Sequence, residues 1–395
     1  MKRLLSIFLC ILLGILPSLA AALTIDEIDR QVDANFKKSG TVGGALVVFL
    51  GGEIVYTRYY GCQDAAQETP ATKDTYFRLA SVTKMVSGIG LMQLCELGLL
   101  ELDRDISDYF GYEIANYYYP DTPITLRQIM SHTSSIYGTL PAAGRSVYST
   151  LAKAERKYAY YTKKRPGSSY EYSNFGAGIA GAMMEAVTDM SVNSYMCGNV
   201  FAPLAIDAAY SASLLSEPEF VSSFYDKSGK LYRSAQTSLE DEYEDYSDPE
   251  THYDITIGDL WMRAEDLAKL AIALCGDGSV DGVRLLTEES ISLMRTDQSS
   301  LEGSVTTSRT RYGLFLQRDE TLIDGHLFFG HQGMKAGILC NVYFEPSTGF
   351  GFVMLTNGCN NALDNHVGIL ARRQFVYAYE TFADSGDAES FWVQE

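Results

Sequence analysis

Apolar residues recur at helical spacing from Thr24 to Phe36, and the pattern then changes to a dense apolar run, Thr41 to Leu50, that ends at Gly51-Gly52. A second β-rich run from Glu53 to Tyr60 follows at once, so this stretch predicts a hairpin closed by a glycine turn. Near the other end, Gly337 to Phe344 and Phe350 to Thr356 repeat the arrangement around Glu345-Pro346-Ser347-Thr348-Gly349, and a last helix is expected around His366 to Ala383. Between the two ends the spacing is mostly helical: Lys84 to Leu97, Leu126 to Ser131, Ser146 to Tyr161, Phe175 to Val187 and Asp266 to Cys275, each punctuated by Gly, Pro or Asp. The pattern predicts an α+β fold. An antiparallel β-sheet drawn from about residues 24–80 and 258–383 is flanked by helices, and a mostly helical subdomain is inserted over about 85–257.

The 395 residues are 46% hydrophobic and 21% charged, which is enough for one sizeable core. The formal charge is -19 and no stretch is dense in Lys and Arg, which excludes nucleic acid as a partner held by counterion release. Met1-Lys2-Arg3, the apolar stretch Leu4 to Leu16 and the small residues through Ala22 predict a signal peptide over residues 1–22. The protein is therefore expected to be secreted or held in the cell envelope, with an uncleaved N-terminal membrane anchor as the alternative. The cysteines beyond it, Cys62, Cys95, Cys197, Cys275, Cys340 and Cys359, are widely spaced and several sit in apolar runs, so buried free thiols fit better than disulfides or zinc. The five histidines form no metal-binding pair of the His-Glu-x-x-His kind, and no metal is expected. Glu240 to Glu250 reads as a solvated acidic loop and Asp226 to Lys230 as a turn.

Candidate chemistry sits at three places. Ser81-Val82-Thr83-Lys84 opens a helix, and residues three apart share a helical face, so the Lys84 ammonium can lie beside the Ser81 hydroxyl. Of all the lysines, only Lys84 has Ser three positions before it. Tyr172-Ser173-Asn174 sets a phenol and an amide two residues apart, on one side of an extended segment. A phenol is a poor base, but an adjacent cation favours the phenolate, and Lys84 can supply it. Gly330-His331-Gln332-Gly333 is read as leading into the strand from Gly337, with Gly333 letting a substrate backbone approach the strand edge. His366-Val367-Gly368 fits the same pattern but is assigned to the terminal helix. Lys38-Ser39-Gly40 and Lys227-Ser228-Gly229 are set aside because one precedes a strand and the other is a turn.

These motifs occur in a definite order. Phe77 to Lys84 is followed by Leu97 to Asp105, by Ile129-Met130-Ser131-His132-Thr133-Ser134-Ser135, by Pro166-Gly167, Tyr172-Ser173-Asn174, Glu265 to Ala268, Gly330 to Gly333 and Leu355-Thr356-Asn357. The succession strongly resembles the serine β-lactamase-like hydrolases, which include class C β-lactamases, D-alanyl-D-alanine carboxypeptidases and other penicillin-binding proteins, D-amino-acid peptidases and esterases. The resemblance implies Ser81 as an acylated nucleophile, with Lys84 and Tyr172 as the proton-transfer pair. It further implies Asn174, His331, Gln332 and Gly333 as substrate contacts and the backbone N–H groups of Ser81 and Met334 as an oxyanion hole. No cofactor is implied. Class C β-lactamases carry Lys-Thr-Gly where this chain has His331-Gln332-Gly333, so capture of a β-lactam carboxylate is expected to be poor. Ser135, Asp189 and Leu204-Ala205-Ile206 also depart from the family pattern, at turns rather than at chemistry. The substrates expected are small D-amino-acid peptides, amides or esters, a peptidoglycan stem peptide among them. A class C-like β-lactamase and a non-catalytic peptidoglycan- or β-lactam-binding protein are the competing readings.

Overall fold

The computed structural model describes residues 23–141, 145–153, 157–241, 255–299 and 311–383. The first helix, α1 (Ile25–Lys38), starts where the Thr24 N–H and hydroxyl both donate to the Glu27 carboxylate at 2.9 Å. Ile28, Val32 and Phe36, four apart, form its buried stripe. One antiparallel sheet of seven strands carries the fold: β1 (Gly43–Leu50), β2 (Glu53–Asp64), β3 (Thr69–Pro70), β4 (Gln317–Asp319), β5 (Phe328–Lys335), β6 (Ile338–Glu345) and β7 (Phe350–Thr356). Their order across the sheet is β4-β5-β6-β7-β1-β2-β3, so the first hairpin closes onto the last at the β1–β7 pair, with Leu46 opposite Met354. The α+β fold expected from the chain's two β-rich ends is thus the one found.

Side chains alternate across the central strands of this sheet, as the two-residue period of a strand requires, with a break in β2 where Val55 and Tyr56 share one side. Ala45, Val47 and Phe49 of β1 join a core shared with α2 (Val82–Glu96), α4 (Asn174–Thr188) and α5 (Ala264–Cys275). Leu46 and Val48 join a second core under α1 and α6 (Ile369–Phe382). Helix α3 (Leu126–Met130) and the helical turn Ile255–Gly258 belong to the first side, packed on α4.

Three expectations need correction. Ser146 to Tyr161 is not one helix: Tyr148–Ala152 is a π turn and Lys157–Tyr160 a 3-10 turn, while Tyr137 N–H bonds to Tyr160 O at 2.9 Å. That tertiary bond draws the segment's end across to Ile136 and overrides its helical spacing. The last helix begins at Ile369, so His366 precedes it, at φ +69° with Nε2 2.9 Å from the buried Asp319 carboxylate. Gly330 to Gly333 lies inside β5 and does not merely lead into β6. The glycines had masked the strand signal. Cys275, Cys340 and Cys359 are buried and Cys62, Cys95 and Cys197 half-buried, all as free thiols. The signal segment and most of Glu240 to Glu250 lie outside the described residues.

Candidate active site

Ser81 sits at the N-terminus of α2 with its hydroxyl uncommitted to the helix: it makes no capping bond. The residue before it, Ala80, is forced to φ +47°, a strained conformation for a residue with a Cβ. Helix α2 is apolar almost all round and therefore central, so Lys84, one turn in, is completely buried. Its Nζ donates to Ser81 Oγ at 3.2 Å and to Ile257 O at 2.8 Å. Burial disfavours the ammonium and pushes the Lys84 pKa down to about 7. Strand β5 passes close behind: a Cβ on Gly333 would stand 2.3 Å from Leu79 O and 3.0 Å from Ser81 N. Gly333 is thus required by the approach of the nucleophile's own backbone, which replaces the reading of a glycine left open for substrate.

The Tyr172 phenol stands beside Ser81, and Lys84 Nζ lies 5.2 Å from the centre of its ring. Burial pushes the phenol pKa up. The expected phenolate held by a Lys84 cation is therefore reversed, because desolvation drives both groups toward their neutral forms. Ser173 caps α4, its hydroxyl accepting from Gly176 N–H at 2.8 Å and donating to Tyr137 O at 3.1 Å. Asn174 is the first residue of α4, and its Oδ1 is buried with no hydrogen-bond partner among the described residues.

His331 lies on the same side of the sheet, buried, with its ring centre 6.3 Å from that of Tyr172. Nδ1 is 2.8 Å from Gln332 O, so it carries the proton, and the Nε2 lone pair has no partner among the described residues. Burial and Lys84 hold the ring pKa down to about 3, and the ring is neutral. Gln332 points to the opposite face, where its amide donates to His366 O at 3.1 Å and accepts from Gly368 N–H at 2.9 Å and Asn341 Nδ2 at 3.2 Å. Its expected role as a substrate contact gives way to a fastening between β5, β6 and the chain before α6. Met334 likewise packs its side chain into the second core, which leaves its backbone at the site.

Ser81, Asn174, Leu140, Asp259, Met334 and Lys335 line a cleft of about 260 Å³. Arg78 also reaches it, and its guanidinium pairs with the Asp259 carboxylate. Three residues without an assigned role surround Tyr172 from behind: His132, with ring centres 4.3 Å apart, Tyr312 at 6.4 Å, and Tyr170 stacked on Tyr312 at 5.4 Å. The run around His132 is visible in the sequence, but its contact with Tyr172 spans 40 positions (172 - 132) and carries no local signal.

The sequence profile of the family described as Beta-lactamase matches residues 28–376. Protein flp of Staphylococcus aureus (strain N315) is 22% identical over 336 residues, covering 84% of this chain and 62% of that protein. The chain thus spans about three fifths of that relative's length. Esterase EstB of Burkholderia gladioli is 30% identical over 207 residues, covering 48% of this chain and 52% of that one. Among solved structures, a class C beta-lactamase superposes with TM-score 0.70 at 16% identity, over 89% of this chain and 97% of that one. The D-amino acid amidase of Ochrobactrum anthropi SV3 superposes with TM-score 0.65 at 21% identity, over 92% and 98%. At these identities the structural likeness is one of fold.

Proposed function

The chain belongs to the β-lactamase family of serine hydrolases, and from that membership we propose that it hydrolyses D-amino-acid peptides, amides or small esters through an acyl-enzyme on Ser81. The observation that carries this reading is the Lys84 amine, buried, held near neutral and 3.2 Å from the Ser81 hydroxyl. Lys84 takes the hydroxyl proton as Ser81 Oγ attacks the substrate carbonyl. The Ser81 and Met334 N–H groups face the developing oxyanion, aided by the N-terminus of α2. Tyr172, kept as a phenol, passes its proton to the leaving amine or alkoxide and takes one back from the Lys84 ammonium, which returns to the neutral amine. Water then attacks the ester and regenerates Ser81. Asn174 Oδ1, at the cleft wall and without a partner among the described residues, accepts an N–H of the bound acyl group.

The D-amino-acid and ester preferences are supported by the amidase and esterase relatives and by His331. A neutral imidazole offers no cation at the third motif for a β-lactam carboxylate, which weighs against a class C-like lactamase. A purely binding role has no use for a neutral amine on the serine. The N-terminal leader read from the sequence supports export to the cell envelope or beyond, where the D-alanyl end of a peptidoglycan stem peptide is a substrate of the right chemistry.

The test is a substrate screen on the purified protein with chromogenic short-chain esters, D-amino-acid amides, D-alanyl peptides and a cephalosporin, each repeated with Ser81→Ala. Turnover of the first three groups that vanishes in the variant is expected. Cephalosporin hydrolysis rivalling the best of them, or turnover that survives in Ser81→Ala, would defeat the proposal.

A further inference from the structure

The residues on either side of Tyr172 are both tied through their N–H groups to one residue. Glu171 N–H donates to His132 O at 2.7 Å, Ser173 N–H donates to His132 Nδ1 at 3.2 Å, and the imidazole lies against the Tyr172 ring itself. His132 is held in turn by its own turn of chain: its N–H bonds to Ile129 O at 3.1 Å, and the next residue's N–H bonds to Gln128 O at 2.7 Å. These bonds hold it at φ +57°, a left-handed conformation that costs a non-glycine residue on the order of 1 kcal/mol or more.

The ring's protonation is fixed by the same contact. Because Nδ1 accepts the Ser173 N–H, the proton sits on Nε2, which is buried and finds no acceptor among the described residues. An unpaired buried donor costs about 1–3 kcal/mol. Burial, with Lys84 and His331 nearby, keeps the ring neutral, and neutrality preserves the Nδ1 lone pair that the clamp needs. A leucine or phenylalanine would fill this space without the unpaired N–H. An imidazole here, in a strained backbone, therefore needs a reason other than packing.

We propose that His132 is a positioning residue for the Tyr172 phenol, clamping the backbone N–H groups of the residues on either side of it so that the hydroxyl stays aimed at Ser81. The inference rests on the role given to Tyr172 in the proposed function. The clamp acts on turnover rather than on substrate affinity, since His132 does not reach the cleft.

Four variants test it on the ester that the wild type turns over fastest, with kcat expressed per site titrated by an acylating probe. His132→Phe keeps a ring but removes the acceptor, and its kcat should fall tenfold to on the order of a hundredfold with KM nearly unchanged. His132→Asn returns an acceptor oxygen near the place of Nδ1 and should recover most of that loss. In a Tyr172→Phe background, His132→Phe should cost almost nothing further, because the group it positions is gone. Wild-type kcat per titrated site in His132→Phe, no recovery in His132→Asn, or an equal loss in the Tyr172→Phe background would each overturn the inference. If Tyr172→Phe alone keeps wild-type turnover, the function proposed for the site fails, and that outcome is distinct from the others.

Discussion

Under α1 and α6 the sheet is packed by aromatic rings, whereas under α2 and α4 it is packed around groups that water would hold better. On the first side Phe375 alone meets the rings of Phe328 at 4.8 Å, Phe352 at 5.4 Å, Phe350 at 5.7 Å and Tyr343 at 5.9 Å. On the second side a fully buried lysine, two neutral histidines whose Nε2 atoms have no partner among the described residues and a half-buried phenol gather behind Ser81. Ala80, His132 and Ser135 add left-handed backbone there. Apolar burial stabilises, and desolvated polar groups and strain do the opposite. One strand serves both sides, since β5 sends His331 and Gly333 toward the serine and Gln332 and Met334 toward the aromatic core. Both faces bury apolar residues that hold the protein folded, and the one at the serine also gives up part of that stability to bury a lysine, its pKa pushed down to about 7, beside a nucleophile.

If this division is right, substitutions on the two faces separate activity from stability. The largest effect is expected for Ser81→Ala and Lys84→Met, which should each lower turnover by about a thousandfold or more while the folded protein persists. Thermal melting beside kinetics checks both, and a variant that loses activity only by unfolding breaks the division. Phe375→Ala should do the reverse, costing about 3–5 kcal/mol in denaturant unfolding and leaving kcat per titrated site unchanged.

The pH dependence sharpens the same contrast. A base must be unprotonated, so kcat/KM should fall as pH drops through about 7, the value to which burial pushes Lys84. For stability, the Lys84 pKa is lowered on folding from 10.5 to about 7, so the unfolded chain binds the extra proton between those values. Stability should therefore decline as pH falls across that window and level off below it. Relative to wild type, Lys84→Met should lack this decline and be more stable at neutral pH by on the order of a few kcal/mol, measured as the difference between paired denaturant curves. The smallest effect belongs to Gln332→Ala, which loosens the fastening to Gly368 and His366. It should cost about 1–3 kcal/mol of stability and leave KM for the preferred ester unchanged; a raised KM would return Gln332 to the binding site.

Much of this was legible before the fold was known, and the reason is locality. Ser81 and Lys84 share a helix turn, and Tyr172 and Asn174 flank one cap, so spacing alone set each pair side by side. What failed depended on partners far along the chain. Gly330 and Gly333 hid β5, and once the strand is known its period places Gln332 opposite His331 without further information. Gly333 was given to the substrate because nothing local shows that Leu79 and Ser81 press against it. The protonation states of Lys84 and Tyr172 follow from burial, which a sequence does not display. The clamp at His132 joins positions 132 and 171–173 and was visible only as an unassigned part of an ordered motif.

The central claim is that a neutral Lys84 activates Ser81 for covalent catalysis. Its most direct test is the pH dependence of acylation itself, followed by intact mass and peptide mapping after brief exposure to a slowly deacylating ester probe. The account predicts one adduct, on the peptide holding Ser81, forming faster as pH rises through about 7 and absent in Ser81→Ala. An adduct that survives in Ser81→Ala, or an acylation rate in Lys84→Met equal to that of the wild type, would contradict it.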